Sequence, residues 1–123
     1  MPIIGRFIVV YKLWHEIQDH LSKKSRYTLG SKIDDCFLET LECMFIASYL
    51  SKEAKLPYLK KATLKLDLLK FFLHVSWEIK ALDTKKYIAL SEPLDEIGKM
   101  LGGWMRGISS KETPPRHPGG EDK

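Results

Sequence analysis

The chain has 123 residues, 44% of them hydrophobic and 29% charged, with a formal net charge of +4. That length supports one core and one domain, and helix formers dominate the composition. No apolar run approaches the ~20 residues of a membrane-spanning helix. The apolar start from Met1 to Tyr11 lacks the basic leader and cleavage site of a signal peptide, so a soluble, cytoplasmic protein is expected.

Four periodic stretches follow in chain order. The first runs from about Gly5 to Lys24, with Phe7, Val10, Tyr11, Trp14, Ile17 and Leu21 on one helical stripe. Residues 22–28 read as a break. The second runs from about Thr28 to Ser51, with Thr28 or Ser31 as the candidate cap. Its stripe is Leu29, Ile33, Cys36, Phe37, Leu41, Met44 and Ala47. Cys36 and Cys43 lie about 10 Å apart along such a helix, too far for a disulfide, and read as buried, reduced thiols.

Residues 52–56 read as the next break, and Pro57 as the first residue of a third helix ending near Leu82. Leu59, Ala62, Leu66, Leu69, Leu73 and Ser76 form one stripe of this helix. A second apolar set, Leu64, Leu68, Phe71, Phe72, Val75 and Ile79, covers much of the rest. A helix apolar nearly all round must be buried nearly all round. In a four-helix monomer each helix keeps one face wet, so this one predicts oligomerisation.

The fourth stretch begins near Thr84, the expected cap, and ends at Gly107, the expected left-handed C′ residue. Tyr87, Leu90, Leu94, Ile97, Leu101, Trp104 and Ile108 alternate spacings of three and four, a coiled-coil-like seam. Pro93 removes the bond to the Ala89 carbonyl and predicts a kink, or a restart capped by Ser91. Residues 109–123 hold Pro and Gly without an apolar anchor, and disorder is expected there. The fold class is all-α: an antiparallel up-down-up-down four-helix bundle over residues 1–108.

No pattern points to catalysis. His15, Glu16, Asp19 and His20 pair along one helix surface without the inward Glu-x-x-His sets of di-iron bundles. His74 reads as a hydrogen-bonded core or interface histidine. The acidic groups Asp34, Asp35, Glu39, Glu42 and Glu92, Asp95, Glu96 read as solvated faces or as partners for a neighbouring subunit's lysines. No nucleophile motif, phosphate loop or metal set is present, so no cofactor is expected. Gly98 and Gly102 stack on one helical face, which predicts a close approach of another backbone.

The excess positive charge lies within 52–70, where Lys52, Lys55, Lys60, Lys61, Lys65 and Lys70 face only Glu53 and Asp67. A solvated lysine face explains this blandly. A nucleic-acid partner explains it functionally: Lys60, Lys61, Lys65 and Lys70 would contact phosphate, with Arg26 and Arg106 adding to the patch.

Three stretches carry a family resemblance: Arg26-Tyr27-Thr28-Leu29-Gly30, Leu56-Pro57-Tyr58-Leu59-Lys60-Lys61-Ala62, and Asp95-Glu96-Ile97-Gly98-Lys99-Met100-Leu101-Gly102-Gly103-Trp104. In this order they resemble the accessory variability determinant (Avd) proteins of diversity-generating retroelements. The likeness spans roughly residues 7–108. It implies a homopentameric barrel of four-helix bundles that binds the element's reverse transcriptase, its template-repeat RNA and the cDNA, and supports mutagenic cDNA synthesis. The basic positions of residues 56–70 match the family pattern, whereas Pro93 departs from it. The alternative is a structural or protein-interaction bundle like the proteins of ribosomal RNA intervening sequences, with no dedicated nucleic-acid role. Those relatives typically lack the Arg-Tyr-Thr-Leu-Gly and Leu-Gly-Gly-Trp pieces.

Overall fold

The computed structural model describes residues 2–112, with side chains through residue 108. They form four long helices: α1 (Pro2–Gln18), α2 (residues 23–49), α3 (Lys52–Glu78) and α4 (Thr84–Glu112). No strand occurs among the described residues. The buried stripes are those of the periodicity. Phe7, Trp14, Ile33, Phe37, Met44, Leu59, Leu66, Leu69, Leu90 and Leu94 are all within the central core.

Contacts fix how neighbours pair. Phe7, Tyr11 and Trp14 of α1 gather around Phe37 of α2, with ring centroids 5.4, 5.5 and 6.0 Å away. Between α3 and α4, Lys55 meets Trp104, Leu66 lies beside the Gly98 position, Lys70 meets Asp95 and Trp77 meets Thr84. Rising numbers on one helix meet falling numbers on the other, so this pair runs in opposite senses. Among the described residues, the two buried polar side chains are satisfied locally. Thr40 donates to the Cys36 carbonyl (2.7 Å) and Ser76 to the Phe72 carbonyl (2.9 Å).

The helix ends differ from expectation, and side-chain caps set the starts of α2, α3 and α4. α1 begins at Pro2, not Gly5, and stops at Gln18, well before Lys24. The expected break at 22–28 is mostly helical. Ser22 accepts from the Ser25 amide and starts α2, which passes through a π-helical turn at Arg26–Gly30 before Ser31–Tyr49. Neither Thr28 nor Ser31 is the cap; the Thr28 hydroxyl donates to the Lys24 carbonyl (2.9 Å). Gly30 permits this wide turn to pack, since a Cβ there would lie 3.3 Å from the Ser25 carbonyl oxygen and 3.4 Å from Leu21 Cδ1.

The second expected break, at 52–56, is also helix. Ser51 accepts from the Ala54 amide and starts α3 at Lys52. Pro57 therefore lies more than a turn inside the helix and forgoes a bond to the Glu53 carbonyl. α3 ends at Glu78, short of Leu82, in a tight reversal. Lys80 takes a left-handed conformation (φ 65°) and donates to the Trp77 carbonyl, while Ala81 donates to the Ser76 carbonyl. That is the Schellman pattern, made here without glycine.

Asp83, not Thr84, caps α4; its Oδ1 accepts from the Lys86 amide (2.8 Å). α4 runs through Pro93 with no restart at Ser91, and through Gly107 to Glu112. Gly107 is thus a helical residue and not a terminator. Helix α4 takes in residues 109–112. The rest of the expected disordered tail, 113–123, lies outside the described residues.

Candidate nucleic-acid interface

Lys60 and Lys61 project from α3 into solvent, and neither has an ion pair among the described residues. Lys65 turns toward α2 and pairs with Glu39 at 3.0 Å, which pushes its ammonium pKa up. Lys70 turns toward α4 and pairs with Asp95 at 3.0 Å. The four lysines therefore do not form one free patch. Two are open and two are held by carboxylates of flanking helices. These are ion pairs within the chain, so Glu39 and Asp95 are already partnered before any neighbouring subunit arrives.

Arg26 is drawn into the fold. Its Nη2 donates to the Asp19 and Leu21 carbonyls (3.1 and 3.2 Å), tying α2 to the end of α1. Its buried Nε has no hydrogen-bond partner. Arg106 is exposed and folds back along α4. A Cβ at Gly102 would lie 3.2 Å from its Nη1, and one at Gly103 3.8 Å from its Nη2. The glycines clear space for this guanidinium. Within the chain it is this side chain, and not another backbone, that lies at Gly102. At Gly98 the neighbour is the Leu66 side chain, at an ordinary 3.7 Å.

Alongside and beyond the four lysines, the outward face of α3, with its C-cap residue Ile79, is apolar. Leu64, Phe71 and Ile79 are 58%, 56% and 58% exposed, and Leu68 is at 36%. These side chains belong to the second stripe of the periodicity, and no described residue covers them.

Several placements were not legible from spacing. Asp34 is half-buried, accepting from the Tyr11 hydroxyl (2.9 Å) and the Trp14 indole (3.2 Å). Burial first, then the hydrogen bond and charge of Asp34, push the Tyr11 pKa up to about 12. Lys55 lies over the Trp104 ring at 5.5 Å. His74 is exposed rather than in the core, with Nε2 3.4 Å from Glu78. It flanks Trp77, which stacks on Tyr87. The residues His74, Trp77 and Glu78 sit three and four apart on one face of α3, a signal the sequence does carry.

Burial pushes the Cys36 and Cys43 thiols up, so both favour the protonated, unreactive form. Among the described residues no group of three or more His, Cys, Asp or Glu side chains is placed to hold a metal. No described helix is long and apolar enough to cross a membrane.

Fold and surface together define a four-helix bundle whose distinctive groups, free lysines and an uncovered apolar stripe, face solvent. The family model described as bAvd-like matches residues 3–108, and the chain belongs to that family. It is the family to which the three sequence stretches pointed. No curated protein matches the chain.

Proposed function

We propose that this chain is a non-catalytic accessory factor of a diversity-generating retroelement. It binds the element's reverse transcriptase, template-repeat RNA and cDNA, and supports mutagenic cDNA synthesis in the cytoplasm. The observation that carries this reading is the family match across residues 3–108. The surface supports it physically. Lys60 and Lys61 offer uncommitted ammonium groups for phosphate. The Lys65–Glu39 and Lys70–Asp95 pairs are partly exposed. Solvent screens such pairs strongly, so either lysine can leave its carboxylate for a phosphate at little cost. Arg26 is the weakest of the expected contacts, because moving it would free two helix-end carbonyls.

The working unit is a homopentameric barrel of up-down-up-down bundles. Its subunit contact is the outward face of α3, through Leu64, Leu68, Phe71 and Ile79. Full burial of such a side chain is worth ~1.5–3 kcal/mol, of which about half remains to be gained here, so several act together to hold subunits. Repetition around a ring multiplies the small charge of Lys60 and Lys61 into an extended basic surface.

Two measurements test this. Purified reverse transcriptase is given template-repeat RNA with and without the protein, and cDNA is quantified; dependence on the protein is expected. Lys60→Glu with Lys61→Glu should then abolish salt-sensitive RNA binding while circular dichroism keeps its helical signal. Full synthesis without the protein would overturn the accessory role in favour of a bundle with no nucleic-acid function. Normal RNA binding by the double variant would overturn the site.

A further inference from the structure

The α3–α4 turn holds an aromatic cluster that the basic surface does not use. Trp77 stacks on Tyr87 with centroids 5.2 Å apart and planes 11° from parallel. His74 lies 5.8 Å from the indole, and its Nδ1 is 3.4 Å from the Tyr87 hydroxyl. The indole N–H donates to Thr84 Oγ1 at 3.0 Å, which fixes the ring's orientation. Trp77 also lines an open cleft of about 460 Å³ with Glu78, Lys80, Leu82, Asp83 and Thr84. That volume falls in the ~300–1,000 Å³ range of small-ligand sites.

The charges around the cleft decide what it suits. Carboxylates beside a tryptophan would ordinarily favour a cationic ligand. Here one is paired with a lysine and the other lies against an imidazole. Asp83 accepts from the amide and the ammonium group of Lys86, at 2.8 and 3.1 Å, and Glu78 faces His74 at 3.4 Å. Lys80 and Lys85 are exposed and have no ion pair among the described residues. Lys80 is moreover held at the rim by the left-handed turn that ends α3. An oriented indole at a cleft that Lys80 also lines, with exposed Lys85 next to Thr84 in the chain, fits a ligand that is flat, aromatic and anionic.

We propose that this turn is a stacking platform for an unpaired base of single-stranded RNA. Trp77 stacks the base, and Lys80 and Lys85 hold the flanking phosphates. The proposal rests on the nucleic-acid reading above and adds a second, base-dependent contact. The rise of α3 separates Trp77 from Lys60 by about 25 Å, so the two contacts are independent in space.

The test titrates the full chain with labelled oligoadenylate and with an abasic ribose-phosphate oligomer of equal length, following anisotropy. Trp77→Ala should weaken oligoadenylate binding roughly 10-fold, as loss of one base stack does, and leave the abasic oligomer unaffected. Trp77→Phe should keep most of the affinity. Lys80→Glu with Lys85→Glu should weaken both ligands, and it changes only exposed side chains should Trp77→Ala perturb the fold. If wild type binds oligoadenylate while Trp77→Ala and the double lysine variant bind it equally well, the platform is overturned and the Lys60–Lys61 site stands. Equal losses on both oligomers from Trp77→Ala, with helix content intact, would also overturn base stacking. No binding of either oligomer by wild type removes the nucleic-acid reading, and the platform with it.

Discussion

The two faces of α3 are built from the same residue types and have opposite fates. On the inner face Leu59, Ala62, Leu66, Leu69 and Leu73 are at most 1% exposed. On the outer face Leu64, Phe71 and Ile79 are more than half exposed. α2 and α4 flank α3 and cover one stripe. The second stripe is left uncovered by the described residues. The difference teaches that hydrophobicity reports the demand for burial, while only packing shows which part of that demand the chain meets by itself.

The sharpest way to break the comparison is to remove volume from the inner face. Leu69→Ala should cost about 2–5 kcal/mol, read as a lower midpoint in urea denaturation. An unchanged midpoint would mean that the inner face is no better packed than the outer. The polar tie between α1 and α2 comes next. Asp34→Ala leaves the Tyr11 hydroxyl and Trp14 indole without their acceptor and should cost about 1–3 kcal/mol in the same assay.

Tyr11 adds a pH signature. Its phenol ionises near the ordinary value of ~10 when the chain is unfolded, and is pushed up to about 12 when folded. The folded state therefore keeps its proton longer. The stabilising contribution is complete below pH ~10 and is lost as pH rises through about 12. Urea midpoints across that window should fall more steeply for wild type than for Tyr11→Phe.

The ion pairs at the rims should matter less. Lys70→Met removes the partner of Asp95 and should change stability by less than ~1 kcal/mol. A larger loss would mark Lys70 as structural and unavailable to phosphate. The smallest effect on the monomer belongs to the outer face. Phe71→Glu should shift the unfolding free energy of dissociated chains by only about 0.5 kcal/mol, yet reduce the assembled fraction in sedimentation velocity. An unaltered assembly would show that the uncovered stripe serves something other than a second copy.

Much of the fold was legible. The spacing of Phe7, Trp14, Phe37, Leu59, Leu66, Leu94 and Leu101 set the core positions, because a helix exposes each residue at a fixed angle. Helix ends were legible less well. Ser22, Ser51 and Asp83 act as caps, but Thr28, Pro57 and Thr84 offered chemically similar signals a few residues away. Gly107 reads as a stop and is passed through, since a glycine tolerates the helical conformation as well as the left-handed one.

The candidate site was legible by composition and not by geometry. The sequence by itself determined that positive charge gathers in residues 52–70, that the third helix carries two apolar stripes, and that the family is the bAvd-like one. These depend on residue identity and spacing along the chain. Only the tertiary structure decided that Lys65 and Lys70 are held by Glu39 and Asp95, that Arg26 ties α2 to α1, and that Trp77 meets Tyr87 and Thr84 across the turn. The partners in each case sit on different helices, or on opposite sides of a turn. Which lysine finds a carboxylate depends on how neighbouring helices are rotated and aligned, and no periodicity within one helix contains that information.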